Sequence, residues 1–330
     1  MTGIDPAVID PAAIDPAAID PAVIDFGGVQ LVRLVETEGP LLRPAEIFPD
    51  STPQDIQANL DWLVPRFYDP DTDRLVISIQ SFLLRSGGKN ILVDTCVGDC
   101  KPRVRADFDR QQWGWLDRLK ATGLGVEDID IVLSTHLHVD HVGWHTTLVD
   151  GVWTPTFPNA RYLFTHPEWD YWKANEGHPG LLRTGDYIGD SVWPIFHAGL
   201  ADLVPMDHRI DDLLQLVPLP GHTPGHVGVA IQGARQHGLI SGDAFHHPLQ
   251  CCYPGWSTRF CADPVQARAS REALLARCAH DHTLVLPAHF PAPTAGRVVA
   301  APEGSGHAYR FEFDAGGIDR AVLDNGDKTE

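Results

Sequence analysis

Five histidines and two aspartates stand where they could hold metal ions. His136, His138, Asp140 and His141 lie in Thr135-His136-Leu137-His138-Val139-Asp140-His141-Val142-Gly143. His222 follows in Pro220-Gly221-His222, Asp243 in Ser241-Gly242-Asp243 and His289 in Pro287-Ala288-His289. Neutral imidazole and carboxylate suit zinc and other first-row divalent cations. His136 and His138 are two apart, so on an extended segment they point to the same side. The helical alternative, H-E-x-x-H with histidines four apart, is absent. Asp140 and His141 then turn the chain toward a second point. The order suits two cations that share one carboxylate.

This set resembles the H-x-H-x-D-H signature of the metallo-β-lactamase superfamily. The resemblance runs in order from about Leu75 to Pro291. It includes Ile91-Leu92-Val93-Asp94-Thr95 and Leu219-Pro220-Gly221-His222-Thr223-Pro224-Gly225-His226. It implies that His136, His138 and His222 hold a first metal, that Asp140, His141 and His289 hold a second, and that Asp243 bridges them. Asp94 then orients a ligand without binding metal. The implied cofactors are two divalent ions, zinc foremost, with manganese, iron or cobalt as alternatives. The implied fold is α/β, a four-layer αββα sandwich of two mixed sheets flanked by helices, with the metals at one edge.

Chemistry follows from such a centre. Metal-bound water has a pKa of roughly 7 at a zinc site, so hydroxide is available near neutral pH. Nearby cations also stabilise an oxyanion. The expected reaction is attack by a metal-bridging hydroxide on an ester, lactone, amide or phosphoester. A serine nucleophile is unnecessary, and no G-x-S-x-G elbow is present. Asp243 fixes the metal pair, and Asp140 is the residue placed to assist proton transfer to a leaving group.

The branch is read from single positions. True β-lactamases of this fold lack the bridging Asp, which Asp243 supplies. Flavin-linked diiron reductases carry Glu where His138 stands. Glyoxalase II enzymes add a basic C-terminal segment that is missing, and persulfide dioxygenases use a subset of the ligands with one iron. Two branches remain, acyl-homoserine lactonases and parathion-hydrolase-like esterases. The lactonases carry Tyr three positions after the bridging Asp, whereas this chain has His246. Phe157-Pro158-Asn159-Ala160 and Pro287-Ala288-His289-Phe290-Pro291 resemble the esterase branch. The expected substrate is therefore an apolar small-molecule ester or lactone, with aryl esters and phosphotriesters included. Quorum-quenching lactonase activity is the alternative, and a non-catalytic metal-binding scaffold is a third reading. Trp144, Phe245, His246, His247, Trp256 and Phe290 are candidate pocket residues, with Tyr253 beside them. His226 reads as structural, and Cys96 as a buried structural thiol.

Each ligand group follows a short apolar run: Ile129–Ser134, Leu213–Leu219, Leu239–Ser241 and Leu284–Leu286. These read as buried strands, and ligands just beyond the carboxyl ends of strands are typical of α/β active sites. Val29–Val35, Leu75–Leu84, Ile91–Asp94, Pro158–Phe164 and Ala308–Phe313 are further expected strands. Asp109–Thr122, a start at Pro167–Trp172, Asp186–Leu203 and Asp263–Ala279 are expected helices, the last with Asp263 as N-cap and Pro264 at the first position. Pro40 to Pro70 reads as a long connection with a helical stretch, Pro53–Leu63, in a position to cover the site.

Residues 1–28 hold a repeated Ile-Asp-Pro-Ala unit. Its five-residue period fits neither helix nor strand, and its prolines break a helix. A disordered or extended tail is expected, with docking on a second copy in a homodimer as the alternative. The hydrolase domain is expected over residues 29–315 and a C-terminal tail over 316–330. Of the net charge of −19, the first 26 residues contribute five Asp and no Lys or Arg, leaving −14 for the rest. That charge repels a phosphate backbone and argues against nucleic acid as a partner. No apolar run is long enough for a membrane span, and the start shows no signal-peptide pattern. The six cysteines form no C-x-x-C pair. Reduced thiols in a cytoplasmic protein are the expectation.

Overall fold

The computed structural model describes residues 23–177 and 184–314. The expectations for the repeat up to residue 22 and for the 316–330 tail lie outside the described residues.

The first half builds one sheet. Its strands are β1 (Val23–Asp25), β2 (Val29–Leu42), β3 (Tyr68–Asp69), β4 (Arg74–Ser86), β5 (Lys89–Val93) and β6 (Ile131–Leu133). A separate hairpin, β7 (Thr146–Val149) with β8 (Val152–Pro155), intervenes before β9 (Arg161–Thr165) and β10 (Ala201–Val204) complete the sheet. The order is β1-β2-β4-β5-β6-β9-β10, with β3 paired to β4. β5, β6, β9 and β10 run parallel and the other pairs antiparallel. The second half builds a sheet of β11 (Leu214–Pro218), β12 (Val227–Gln232), β13 (His237–Gly242), β14 (Leu284–Pro287), β15 (Gly296–Ala300) and β16 (Tyr309–Phe313) in sequential order. There β13 and β14 are the parallel pair.

Helices fill the connections. They are α1 (Pro44–Ile47), α2 (Pro53–Gln57), α3 (Leu60–Leu63), α4 (Trp115–Ala121), α5 (His166–Ala174), α6 (Tyr187–Ser191), α7 (Trp193–His197), α8 (Leu249–Cys252) and α9 (Pro264–Asp281). Asp263 caps α9 by accepting from Val265 and Gln266.

Strand alternation explains the layering. Phe82 and Leu84 face the second sheet, where Val227, Val229, Ile240 and Leu286 meet them. Leu83, on the opposite side of the pleat, packs with Trp115 and Leu119 of α4 and Trp169 and Trp172 of α5. In the second sheet Leu239 and Val285 alternate with Ile240 and Leu286, and pack on Leu274, Leu275 and Cys278 of α9. Helix, sheet, sheet and helix form the four layers.

Three expectations change. Among the described residues, packed structure already includes residues 23–28, which were expected in the tail. Ile24 pairs with Leu31 across β1 and β2, and Ile24 and Phe26 are buried between the sheets. A Cβ on Gly238 would meet the Phe26 ring at 2.4 Å, so this glycine makes room for it. The span expected as one helix over Asp186–Leu203 is instead α6 and α7, followed by β10. Gly199, at φ +70, ends the helical path and lets the chain return to the sheet. The helix expected over Asp109–Thr122 is confined to α4, because Gly114 at φ 68 starts it late.

Candidate metal centre

The parallel pairs β5–β6 and β13–β14, with β11, deliver the site loops to one edge. Asp94 follows β5 in a left-handed conformation, φ 59. Its carboxylate accepts Thr135 N at 2.7 Å and His141 Nδ1 at 2.9 Å. Across the gap, Gly242 ends β13 at φ 49. A Cβ there would lie 2.5 Å from His226 Nε2, so glycine lets the chain turn against that ring. His226 donates from Nδ1 to Leu219 O (2.8 Å) and accepts the Asp243 N–H at Nε2 (2.9 Å). It holds the backbone of Asp243. His289 follows β14, its Nδ1 bonded to Ser78 O (2.9 Å).

Asp243 is the hub. His222 Nε2 lies 3.1 Å and His136 Nε2 3.6 Å from Oδ2. On the other oxygen, His289 Nε2 lies at 3.1 Å and His141 Nε2 at 3.3 Å from Oδ1. Asp140 closes the second group, 3.8 Å from His141 Nε2 and 3.7 Å from His289 Nε2. In the first group His138 Nδ1 sits 3.0 Å from His136 Nε2 and 2.8 Å from His222 Nε2. Potential donor atoms of His136, His138, His222 and Asp243 lie within 4.8 Å of one another, as do those of Asp140, His141 and His289.

The donor set fits divalent cations. Three imidazole nitrogens converge in the first group, and an N–H shared between two of them leaves the third facing a lone pair or a proton. A cation accepts all three lone pairs. In the second group His141 Nε2 and Asp243 Oδ1 are buried without a hydrogen-bond partner, an arrangement that is costly unless something binds there. Electrostatics divides the groups. Burial holds His136 and His138 well below the usual imidazole range and His222 at about 3, so all three present lone pairs. His141 is pushed up: burial opposes the proton, but Asp243, Asp94 and Asp140 outweigh it. His289 is pushed up against burial in the same way, by Asp243 and Asp140. The field that draws protons to these nitrogens would equally draw a cation. Burial would raise Asp243, yet His289, His141, His246 and His136 hold it well below the usual carboxylate range.

A cavity of about 530 Å³ opens onto this cluster, with His138, Asp140, His222, Asp243, His246 and His289 on its wall. His246 Nε2 lies 3.1 Å from Asp243 Oδ2, and both its ring nitrogens are buried without a hydrogen-bond partner. Five other residues expected in the pocket lie elsewhere. Trp144 stacks on Trp115 and donates to Glu36 Oε1 at 2.8 Å. Phe245 and Phe290 are buried in the layer beneath α9. His247 donates from Nε2 to Phe67 O at 2.9 Å. Trp256 stacks on Tyr253 and packs with Phe48. Trp144 lies in a single 3-10 turn, Gly143–His145, and the other four lie in turns and loops beyond the strand ends, whose path directs their side chains into the core. The walls come from distant segments instead. Leu41, Leu42 and Ile47 form one side, Phe108, Tyr171, Trp172 and Tyr187 another, and Phe260 and Cys261 a third. The Pro40–Pro70 connection thus reaches the site through its first residues. Cys96 is buried beside Ser81 Oγ (3.1 Å), whereas Cys261 Sγ lies 3.5 Å from His222 Nδ1.

Two further buried carboxylates were not expected at the site: Glu168 reads from the sequence only as a helix-start acid, and Glu36 carries no signal. Glu36 accepts Val97 N (2.8 Å), Gly98 N (3.0 Å) and Trp144 Nε1. Glu168 accepts Leu137 N (2.9 Å) and Gly225 N (3.0 Å). Neither lies in a ligand motif; Trp172 follows Glu168 by four residues, on the same helix face.

A histidine-rich cleft at one edge of two facing sheets, flanked by helices, is a candidate metal centre in an αββα fold. Residues 75–289 match the family model of the metallo-beta-lactamase superfamily, and the chain belongs to that superfamily. It is 30% identical over 124 residues to the N-acyl homoserine lactonase AttM of Agrobacterium fabrum, across 36% of this chain and 41% of that protein. It is 32% identical over 176 residues to a hydroxyacylglutathione hydrolase of Aeromonas hydrophila subsp. hydrophila, across 51% of this chain and 53% of the relative. The matches thus span about half the length of these curated relatives, or less. Among solved structures, hydrolase AbOPH of the beta lactamase superfamily aligns with TM-score 0.73 and 24% identity, covering 89% of this chain and 97% of its own. AidC, a dizinc quorum-quenching lactonase in complex with an N-acyl-homoserine product, aligns with TM-score 0.68 and 20% identity over the same shares. These two likenesses are likenesses of fold.

Proposed function

We propose that this protein is a dinuclear metal-dependent hydrolase of esters or lactones that carry an apolar group. The observation that carries the reading is Asp243, one buried carboxylate with imidazole nitrogens gathered at each oxygen. His136, His138 and His222 would hold one cation, Asp140, His141 and His289 the other, and Asp243 both. Two bound divalent ions, zinc foremost, would supply a deprotonated water near neutral pH and polarise the substrate's carbonyl.

The chain's own residues do the rest. Asp94 fixes the His141 ring through Nδ1, leaving Nε2 toward Asp243. Asp140, partly exposed to the cavity, is placed to hand a proton to a leaving group. Leu41, Leu42, Ile47, Phe108, Trp172 and Phe260 offer an apolar surface to an acyl or aryl group and displace water from it. His246 lines the same cavity and faces the substrate.

Supporting the lactone side are AttM, a named N-acyl homoserine lactonase, and AidC, named as a lactonase. Supporting aryl esters and phosphotriesters is His246 where lactonases carry Tyr. The net charge of −19 weighs against nucleic acid. Among the described residues no helix is long and apolar enough to cross a membrane. The six free thiols suit a reducing cytoplasm.

Elemental analysis after metal loading tests the centre. Two ions per chain are expected, and a ceiling of one refutes the dinuclear reading. A panel of aryl acetate, γ-lactone, N-acyl homoserine lactone, phosphotriester and β-lactam substrates then tests the chemistry. Ester or lactone turnover should lead. A lead for the β-lactam would overturn the substrate class, and no turnover across the panel would favour a metal-binding scaffold.

A further inference from the structure

We infer that Glu168, on the first turn of α5, is a positioning residue that sets the distance between the two loops carrying His136, His138 and His222. The inference rests on those three histidines being ligands, as proposed above. Glu168 is 2% exposed and does not line the cavity, so it acts through other residues. Its Oε1 accepts Leu137 N at 2.9 Å and Trp172 Nε1 at 2.7 Å, and its Oε2 accepts Gly225 N at 3.0 Å. Leu137 is the residue between His136 and His138. Gly225 stands three residues after His222. One carboxylate therefore bridges a loop that leaves β6 of the first sheet and a loop that leaves β11 of the second.

The packing around this bridge is tight. A Cβ on Gly225 would lie 2.2 Å from Glu168 N and 2.5 Å from its Cα, so glycine lets the loop sit directly on the helix start. Thr165 Oγ1 donates to Gly225 O at 2.8 Å and holds the loop from the other side. Leu137, Trp172 and Gly225 each present an N–H to Glu168, and the Thr223 hydroxyl also faces it; an acceptor-only carboxylate serves all these donors. An amide in its place would turn an NH₂ toward one of them. The loops then separate or rotate, and His222 Nε2 moves relative to His138 Nδ1, now 2.8 Å away.

The test uses the full chain with Glu168→Gln and Glu168→Asp, stripped of metal and titrated with Co²⁺ against a competing chelator. Three quantities are read: Co²⁺ affinity, the visible absorption of the cobalt-loaded protein, and the melting temperature of the metal-free protein. Glu168→Gln should weaken Co²⁺ binding about 10-fold or more, the range typical of residues that orient ligands, and should change the cobalt spectrum. Glu168→Asp keeps the charge but is too short to reach both loops, and should fall between it and the wild type. If melting temperature drops while affinity and spectrum match the wild type in both variants, Glu168 is merely structural and the inference is overturned. Should Glu168→Gln not fold, Glu168→Asp carries the same two outcomes. A wild-type chain that binds no Co²⁺ sinks the ligand reading itself, which separates that failure from this one.

Discussion

The two halves of the histidine cluster are built on different physics. Around Asp243 Oδ2, His136, His138 and His222 are kept neutral chiefly by burial. Their loops are tied by Glu168, which faces away from the cavity. Around Oδ1, His141 and His289 sit in the field of Asp243 and Asp140, with Asp94 also against His141. Their surroundings are braced by Asp94 and, further back, by Glu36, which gathers Val97, Gly98 and Trp144. The first half offers three imidazoles and shares one carboxylate. The second offers two imidazoles and more negative charge. Imidazole-rich sites favour zinc and its neighbours, whereas added carboxylate suits harder ions. The second half should be the more permissive in its choice of metal and the easier to empty.

Asp243→Ala tests what the halves share and should have the largest effect. It removes the carboxylate common to both, so hydrolysis should fall to background and loaded metal to one ion or fewer. Turnover assays and elemental analysis on one preparation check this. Near-normal activity would mean the halves do not depend on a bridge.

Paired variants then separate the halves. His289→Ala should leave one tightly held ion, while His222→Ala should loosen the ion held by the His136–His138 loop. Stepwise removal with a chelator reads the two losses. Identical release curves for both variants would erase the distinction drawn here. His226→Ala should lose less metal than His222→Ala, because His226 reaches the site only through the Asp243 backbone.

Asp94→Asn should affect the second half alone. His141 loses the partner that fixes its ring, and affinity for one ion should drop about 10- to 100-fold while the other stays near wild type. A loss spread over both ions would show that Thr135, the other residue Asp94 holds, matters as much as His141.

The smallest effect concerns Glu36 and pH. Burial pushes this carboxyl up to about 8, against the hydrogen bonds from Val97, Gly98 and Trp144. A raised folded-state value stabilises the neutral form. That stability is complete below the unfolded value of 4.5 and is lost as pH rises through about 8. The metal-free melting temperature should therefore fall with pH across this window, and Glu36→Gln should flatten that slope. An unchanged slope would mean that the three N–H donors keep Glu36 ionised.

Legibility in the sequence followed distance along the chain. His136, His138, Asp140 and His141 share one short loop, and their spacing alone states that two directions are served. His222, Asp243 and His289 each follow a recognisable apolar run. The cavity wall was legible only in part, through His246 and the Pro40–Pro70 connection. Aromatic residues near the ligands, Trp144, Phe245 and Phe290, were the natural candidates, yet the turns that carry them bury them in the core. That Ile24 and Phe26 are packed was not legible either. Ile24-Asp25-Phe26 continues the Ile-Asp repeat, and its burial depends on pairing with β2, a contact that no local pattern encodes.

The sequence by itself determined the donor set, the α/β alternation and the apolar runs that carry each loop, because ligand chemistry and strand periodicity are local properties of residue type and spacing. The tertiary structure decided which side chains face the cavity, that Ile24 and Phe26 join the core and which buried carboxylates hold the loops in place. Those depend on contacts between segments as far apart as Leu41 and Phe260, and no local pattern encodes the meeting of distant surfaces.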